Sequence, residues 1–124
     1  MAKKILIIED HVDTAQFIAS LLQGEGFETI TAENGQIGVE KTFSEKPDLI
    51  LLDIMMPVMS GFEVYQKVKS NPATAKIPII VTSVKVTDKG LVGEKKENLL
   101  AEDYIPKPFD PEELVKSVRK HLGA

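Results

Sequence analysis

Apolar residues along this chain follow two kinds of pattern. Short unbroken runs, Ile5-Leu6-Ile7-Ile8, Leu49-Ile50-Leu51-Leu52 and Ile77-Pro78-Ile79-Ile80-Val81-Thr82, alternate with longer stretches in which apolar positions recur three or four apart. Runs this short and this apolar predict strands buried on both faces, the pattern of a parallel sheet. Spaced pairs such as Ile18 and Leu22 predict helices with one buried stripe. Strands are expected at about Lys4 to Glu9, Glu28 to Ala32, Asp48 to Asp53, Ile77 to Ser83 and Asp103 to Ile105. The second alternates in polarity, which marks it as a sheet edge.

Helix punctuation fills the gaps. A first helix is expected from about Val12 to Gln23, ended by Gly24 and Gly26. A second starts at Asn34 as N-cap and ends before Pro47. Ser60-Gly61-Phe62-Glu63 reads as a capping box opening a third helix that stops at Asn71-Pro72. The last has Asp110 as N-cap, Pro111 in its first position, Glu113 in its third and a stripe of Leu114, Val118 and Leu122. Between the fourth and fifth strands a helix is expected from about Lys89 to Leu100, frayed at its start, because Gly90 and Gly93 each cost about 1 kcal/mol in a helix interior. Strand and helix signals thus alternate five times, which gives an α/β fold with a parallel sheet and helices on both faces.

The bulk numbers narrow the class. At 124 residues, 43% hydrophobic and 27% charged, the chain is expected to form one globular domain over residues 1–124. A net charge of −4 argues against direct nucleic-acid binding. No apolar stretch approaches the twenty or so residues of a membrane span, and Met1-Ala2-Lys3-Lys4 leads into a strand rather than a signal-peptide core. The absence of cysteine excludes disulfides, thiolate zinc sites and cysteine nucleophiles. These features point to the cytoplasm. The sequence stops at Leu122-Gly123-Ala124, just past a helix, so a stand-alone domain without an output module is expected.

The polar residues that close the strands carry the chemistry. Glu9 and Asp10 follow the first strand, Asp53 ends the third, Ser83 ends the fourth and Lys107-Pro108 follows the fifth. Carboxyl ends of parallel strands share one edge, so three carboxylates, a hydroxyl and an ammonium are expected to converge there. Gathered carboxylates repel one another unless a cation joins them, which suggests a hard divalent metal with oxygen ligands.

These residues in this order resemble the receiver domain of two-component response regulators, over essentially the whole chain. The strongest signature is Asp53-Ile54-Met55-Met56-Pro57-Val58-Met59-Ser60-Gly61, joined by Glu9-Asp10, Ser83 and Lys107-Pro108-Phe109. The resemblance implies a doubly wound, flavodoxin-like and CheY-like (βα)5 fold with strand order 2-1-3-4-5. It implies that Asp53 is the phosphoacceptor nucleophile, taking a phosphoryl group from a histidine kinase or histidine phosphotransfer protein. Mg²⁺, with Mn²⁺ as an alternative, would be held by Asp10, Glu9, Asp53 and the backbone carbonyl of Met55. Lys107 would pair with Asp53 and then with a phosphoryl oxygen, aimed inward by a cis Pro108. Ser83 aligns with the switch hydroxyl, with Thr82 its rival if the register slips by one, and Tyr104 aligns with the aromatic that changes rotamer. A downstream protein would read the face made by the fourth helix, fifth strand and fifth helix, with the receiver a monomer or a phosphorylation-dependent dimer. The activity implied is a signalling switch rather than an enzyme, catalysing only its own phosphorylation and dephosphorylation.

Other readings compete with parts of this one. A haloacid-dehalogenase-type phosphohydrolase needs an acid two residues past its nucleophile, where this chain has Met55. A receiver fold used only for binding would be favoured by a missing site residue, and none is missing. His11 invites a metal reading, but imidazole is a poor Mg²⁺ ligand and a solvent-facing loop histidine is the expectation. Met55, Met56 and Met59 are expected to pack, and Lys85, Lys89, Lys95 and Lys96 to form a solvated face. Two departures from the family stand out: Leu99-Leu100-Ala101-Glu102 lacks the Gly common before the fifth strand, and Val84 replaces a small residue after the switch hydroxyl.

Overall fold

The computed structural model describes residues 2–56, 58–83, 86–87, 90–91 and 101–123. Its main sheet has five parallel strands, β1 (Lys4–Ile8), β2 (Glu28–Ala32), β3 (Leu49–Asp53), β4 (Ile79–Ser83) and β7 (Asp103–Pro106), in the order β2-β1-β3-β4-β7. That is the doubly wound order the resemblance implied, with β2 on an edge. The helices among the described residues are α1 (Val12–Gly24), α2 (Gly35–Glu45), α3 (Gly61–Lys69) and α4 (Pro111–Leu122).

The strands form where they do because alternate residues of each apolar run find a helix on opposite faces. Ile5, Ile7, Leu49, Leu51, Ile80 and Ile105 pack with Ala15, Ile18 and Leu22 of α1 and with Leu114 and Val118 of α4. Leu6, Ile8, Ile50, Leu52, Ile79 and Val81 face the other way, onto Val64, Tyr65 and Val68 of α3 and the partly buried Ile37 and Val39 of α2. Burying each such Leu or Ile is worth about 1.5–3 kcal/mol, so the two-sided runs hold the sheet together.

The predicted caps fix where the helices start. Asn34 accepts the Ile37 N–H at 2.8 Å, Ser60 accepts that of Glu63 at 3.4 Å, and Asp110 accepts that of Glu112 at 2.9 Å. Gly61 has a further role. A Cβ there would lie 2.5 Å from the Ile54 Cα and 2.6 Å from the Asp53 carbonyl oxygen, so only glycine lets α3 begin against the end of β3. The Gly61 N–H donates to the Ile54 carbonyl at 3.0 Å and closes the loop after Asp53.

The structure differs from the sequence reading between β4 and β7. Gly90–Leu91 form a short strand, β6, paired antiparallel with β5 (Val86–Thr87), where the helix was expected to begin near Lys89. Two glycines near its start disfavour helix, and Val86 and Thr87 are β-branched and suit a strand. The rest of that expected helix, together with Pro57, Val84, Lys85, Lys89, Lys95 and Lys96, lies outside the described residues. Strand ends move by a residue or two: β1 stops at Ile8 rather than Glu9, and β4 starts at Ile79 rather than Ile77.

Candidate functional site

The parallel register brings the strand ends level. Ile8 lies opposite Leu52 and Ala32, Asp53 opposite Thr82, and Ser83 opposite Pro106. Glu9, Asp10, Asp53 and Lys107 are therefore delivered to one edge by three short stretches of backbone, the ends of β1, β3 and β7. Glu9 and Asp53 are almost wholly buried, at 2% and 3% exposure. The side chain of Ser83 lies outside what is described, and Thr82 is buried.

Lys107 ties the acids together. Its ammonium donates to Glu9 Oε1 in a short contact and lies 3.4 Å from Asp53 Oδ2. The pair with Asp53 that the resemblance implied is present, and Glu9, whose longer side chain reaches across the edge, is a second and closer partner. The Lys107–Pro108 peptide bond is cis. The Met55 backbone N–H donates to Asp53 Oδ1 at 3.1 Å. Met56 is buried and Met59 partly so, both packed on the α3 side of the core, while Met55 is 47% exposed.

Burial and the neighbouring Glu9 carboxylate push the Asp53 carboxyl up to about 6, against the weaker pull of Lys107 and the Met55 N–H. Glu9 goes the other way. Burial raises it, but hydrogen bonds from Lys107 and from the His11 backbone and ring, with the charge of Lys107, hold it below the usual carboxylate range. The two acids share one ammonium and Glu9 holds it more closely, so the charge shortfall falls on Asp53.

One oxygen fits none of these contacts. Asp10 Oδ1 is buried and accepts no hydrogen bond among the described residues, although His11 Nδ1 lies 3.3 Å away. A buried acceptor without a donor is expensive in a dry protein interior. Ligand atoms of Glu9, Asp10, His11 and Asp53 all lie within 4.8 Å of one another. Three carboxylates at that spacing, one with an unused oxygen, are a donor set that fits a hard divalent cation.

Tyr104 is half-buried against the α3-side core, and its hydroxyl accepts the Ala101 N–H at 3.3 Å. Its strand is fastened to α4 by Asp103, which accepts the Tyr104 N–H at 2.8 Å and the Ser117 hydroxyl at 2.6 Å. Burial would raise the Asp103 carboxyl, but those bonds and nearby His121 leave it below its ordinary value. An open groove between β7 and α4 is lined by Tyr104, Ser117 and Lys120, among others.

The family model for the response regulator receiver domain matches residues 5–119. The chain belongs to that family. It is 34% identical over 120 residues to the protein PilH of Pseudomonas aeruginosa, covering 97% of this chain and 98% of PilH. It is 41% identical to the phosphate regulon transcriptional regulatory protein PhoB of the same organism, over 99% of this chain but 54% of PhoB. The receiver thus spans about half the length of several curated relatives that it matches. In structure it is similar to the chemotaxis protein CheY4 of Vibrio cholerae, with a TM-score of 0.85 and 28% identity over 97% of this chain and 98% of that one. The receiver family is a signalling domain of two-component systems, and this receiver carries an acidic cluster of Glu9, Asp10 and Asp53. No helix among the described residues is long and apolar enough to cross a membrane.

His11 faces solvent, as the sequence led us to expect, and it also borders the acids. Its side chain is 72% exposed, yet Nδ1 lies 3.2 Å from Glu9 Oε2 and 3.3 Å from Asp10 Oδ1. Its position next to the acidic pair was the available signal.

Proposed function

We propose that this receiver is a phosphorylation-dependent switch that takes a phosphoryl group onto Asp53 from a histidine kinase or histidine phosphotransfer protein. The observation that carries the reading is the buried Asp53 carboxylate beside Lys107, with Glu9 and Asp10 on the same edge. In the transfer an Asp53 oxygen attacks phosphorus, the P–N bond to the donor histidine breaks, and the imidazole leaves with the electron pair. The product is an acyl phosphate. Hydrolysis by water returns the carboxylate and inorganic phosphate.

Asp10, Glu9, Asp53 and the Met55 carbonyl would hold Mg²⁺ or Mn²⁺, which when bound neutralises charge on the phosphoryl oxygens. The Lys107 ammonium, already between Glu9 and Asp53, would pair with a phosphoryl oxygen. Ser83 would donate its hydroxyl to the phosphoryl group, and Tyr104 would follow by repacking against the β4 edge. A phosphoryl group adds about 1.5 to 2 negative charges and three acceptors, enough to bias a two-state surface. The partner surface is then the region around β7 and α4, read by a downstream protein in the cytoplasm.

Intact mass after incubation with a small phosphodonor and Mg²⁺ tests the reading. A gain of one phosphoryl group, abolished by EDTA and by Asp53→Asn, is expected. No gain in folded protein, from small donors or from a cognate kinase, would instead favour a constitutive binding module.

A further inference from the structure

His11 occupies the N-cap of α1, a position where Ser, Thr, Asp or Asn would stabilise the helix by accepting one of its N–H groups. Its side chain makes no such cap. The ring turns instead to the acids, with Nδ1 3.2 Å from Glu9 Oε2 and 3.3 Å from Asp10 Oδ1. Glu9 spends its other oxygen on Lys107, and Asp10 Oδ1 has no hydrogen-bond donor. Glu9 Oε2 also accepts the His11 backbone N–H at 3.2 Å, so backbone and ring of His11 address the same carboxylate.

Their spacing bears on what they hold. Two donors each about 2.1 Å from one first-row cation lie about 3.0 Å apart in octahedral and about 3.4 Å apart in tetrahedral geometry. The two nitrogen–oxygen separations fall between those values. Mg²⁺ gains little from imidazole, whereas Mn²⁺ and, more strongly, Zn²⁺ accept mixed nitrogen and oxygen ligands.

We propose that His11 Nδ1 is a fourth side-chain ligand of the acidic site, making it a mixed nitrogen–oxygen centre that binds Mn²⁺ and Zn²⁺ in preference to Mg²⁺. The proposal rests on the reading of Glu9, Asp10 and Asp53 as the metal site. It makes the choice of cation a property of this chain, set by the residue that follows the acidic pair.

The chain has two histidines, so a nitrogen signal is assignable by substitution. The experiment is electron spin-echo envelope modulation of the Mn²⁺-loaded protein, with Zn²⁺ and Mg²⁺ affinities measured by competition on the same samples. Wild type should show ¹⁴N coupling from one imidazole, kept in His121→Ala and lost in His11→Ala. Zn²⁺ affinity should fall at least about tenfold in His11→Ala, with Mg²⁺ affinity changed less than about twofold. Because the His11 side chain does not cap α1, that variant should fold normally, and circular dichroism checks it. Mn²⁺ bound without nitrogen coupling, or coupling that survives His11→Ala, overturns this proposal alone. Failure of Mn²⁺ and Mg²⁺ to bind at all overturns it together with the metal reading beneath it.

Discussion

Leu52 and Asp53 are consecutive residues of β3, at 0% and 3% exposure, and they meet opposite surroundings. Leu52 packs among Leu6, Ile8, Ile50, Val64 and Val81. Asp53 meets a second carboxylate and half a share of one ammonium, and its carboxyl is pushed up to about 6 as a result. The middle of the sheet is where apolar burial holds the chain together. The carboxyl edge, one residue further along, withholds some of that stability and keeps a buried carboxylate short of positive charge, as the proposed cation and phosphoryl chemistry requires. Stability and chemistry are thus separated along each strand, not between different parts of the fold.

The separation breaks most visibly in the middle. Leu52→Ala should lower unfolding free energy by about 2–5 kcal/mol, read by urea denaturation, while the fraction that remains folded still takes up phosphate. At the edge the sign reverses. An aspartate with an ordinary pKa of 3.8 held near 6 in the folded state costs the metal-free protein roughly 3 kcal/mol once both states are ionised. The folded state binds its proton more tightly, so stability is complete below about pH 4 and is lost as pH rises through about 6. Asp53→Asn removes that loss. It should be more stable than wild type by on the order of 2 kcal/mol at pH 8 without metal, with the advantage fading between pH 6 and pH 4. Millimolar Mg²⁺ should narrow the gap by stabilising wild type more than the variant, a shift readable as a rise in Tm.

Where middle and edge meet, Gly61→Ala should do harm on both counts. Its methyl group would press on the backbone of Ile54 and Asp53, costing about 1–3 kcal/mol and slowing phosphoryl uptake by displacing the acceptor. The smallest effect is expected far from the edge. Asp110→Ala removes the cap of α4 and should cost about 1 kcal/mol with phosphorylation rate unchanged.

Most of the architecture was legible because its signals are local and agree with one another. Apolar runs gave the five long strands, and Asn34, Ser60 and Asp110 gave three helix starts within a residue. Convergence of Glu9, Asp10, Asp53 and Lys107 followed from the rule that parallel strands end on one edge. What a linear pattern does not encode is how far a side chain reaches. Glu9 is one methylene longer than an aspartate and takes the closer share of Lys107, which no spacing argument reveals. His11 is solvent-facing as expected, but an exposed loop position did not reveal that its ring also borders Glu9 and Asp10. The pairing of Val86–Thr87 with Gly90–Leu91 escaped notice because two-residue strands carry no periodicity.

Which residue carries the phosphoryl group is the most direct test of the proposed switch. Borohydride reduction of phosphodonor-treated protein, followed by peptide mapping, converts an aspartyl phosphate to homoserine at the residue that bore it. Homoserine is expected at position 53, dependent on a divalent cation and absent when the donor treatment is run with EDTA. Homoserine at Asp10 or any other aspartate, or a label that survives Asp53→Asn, would contradict it.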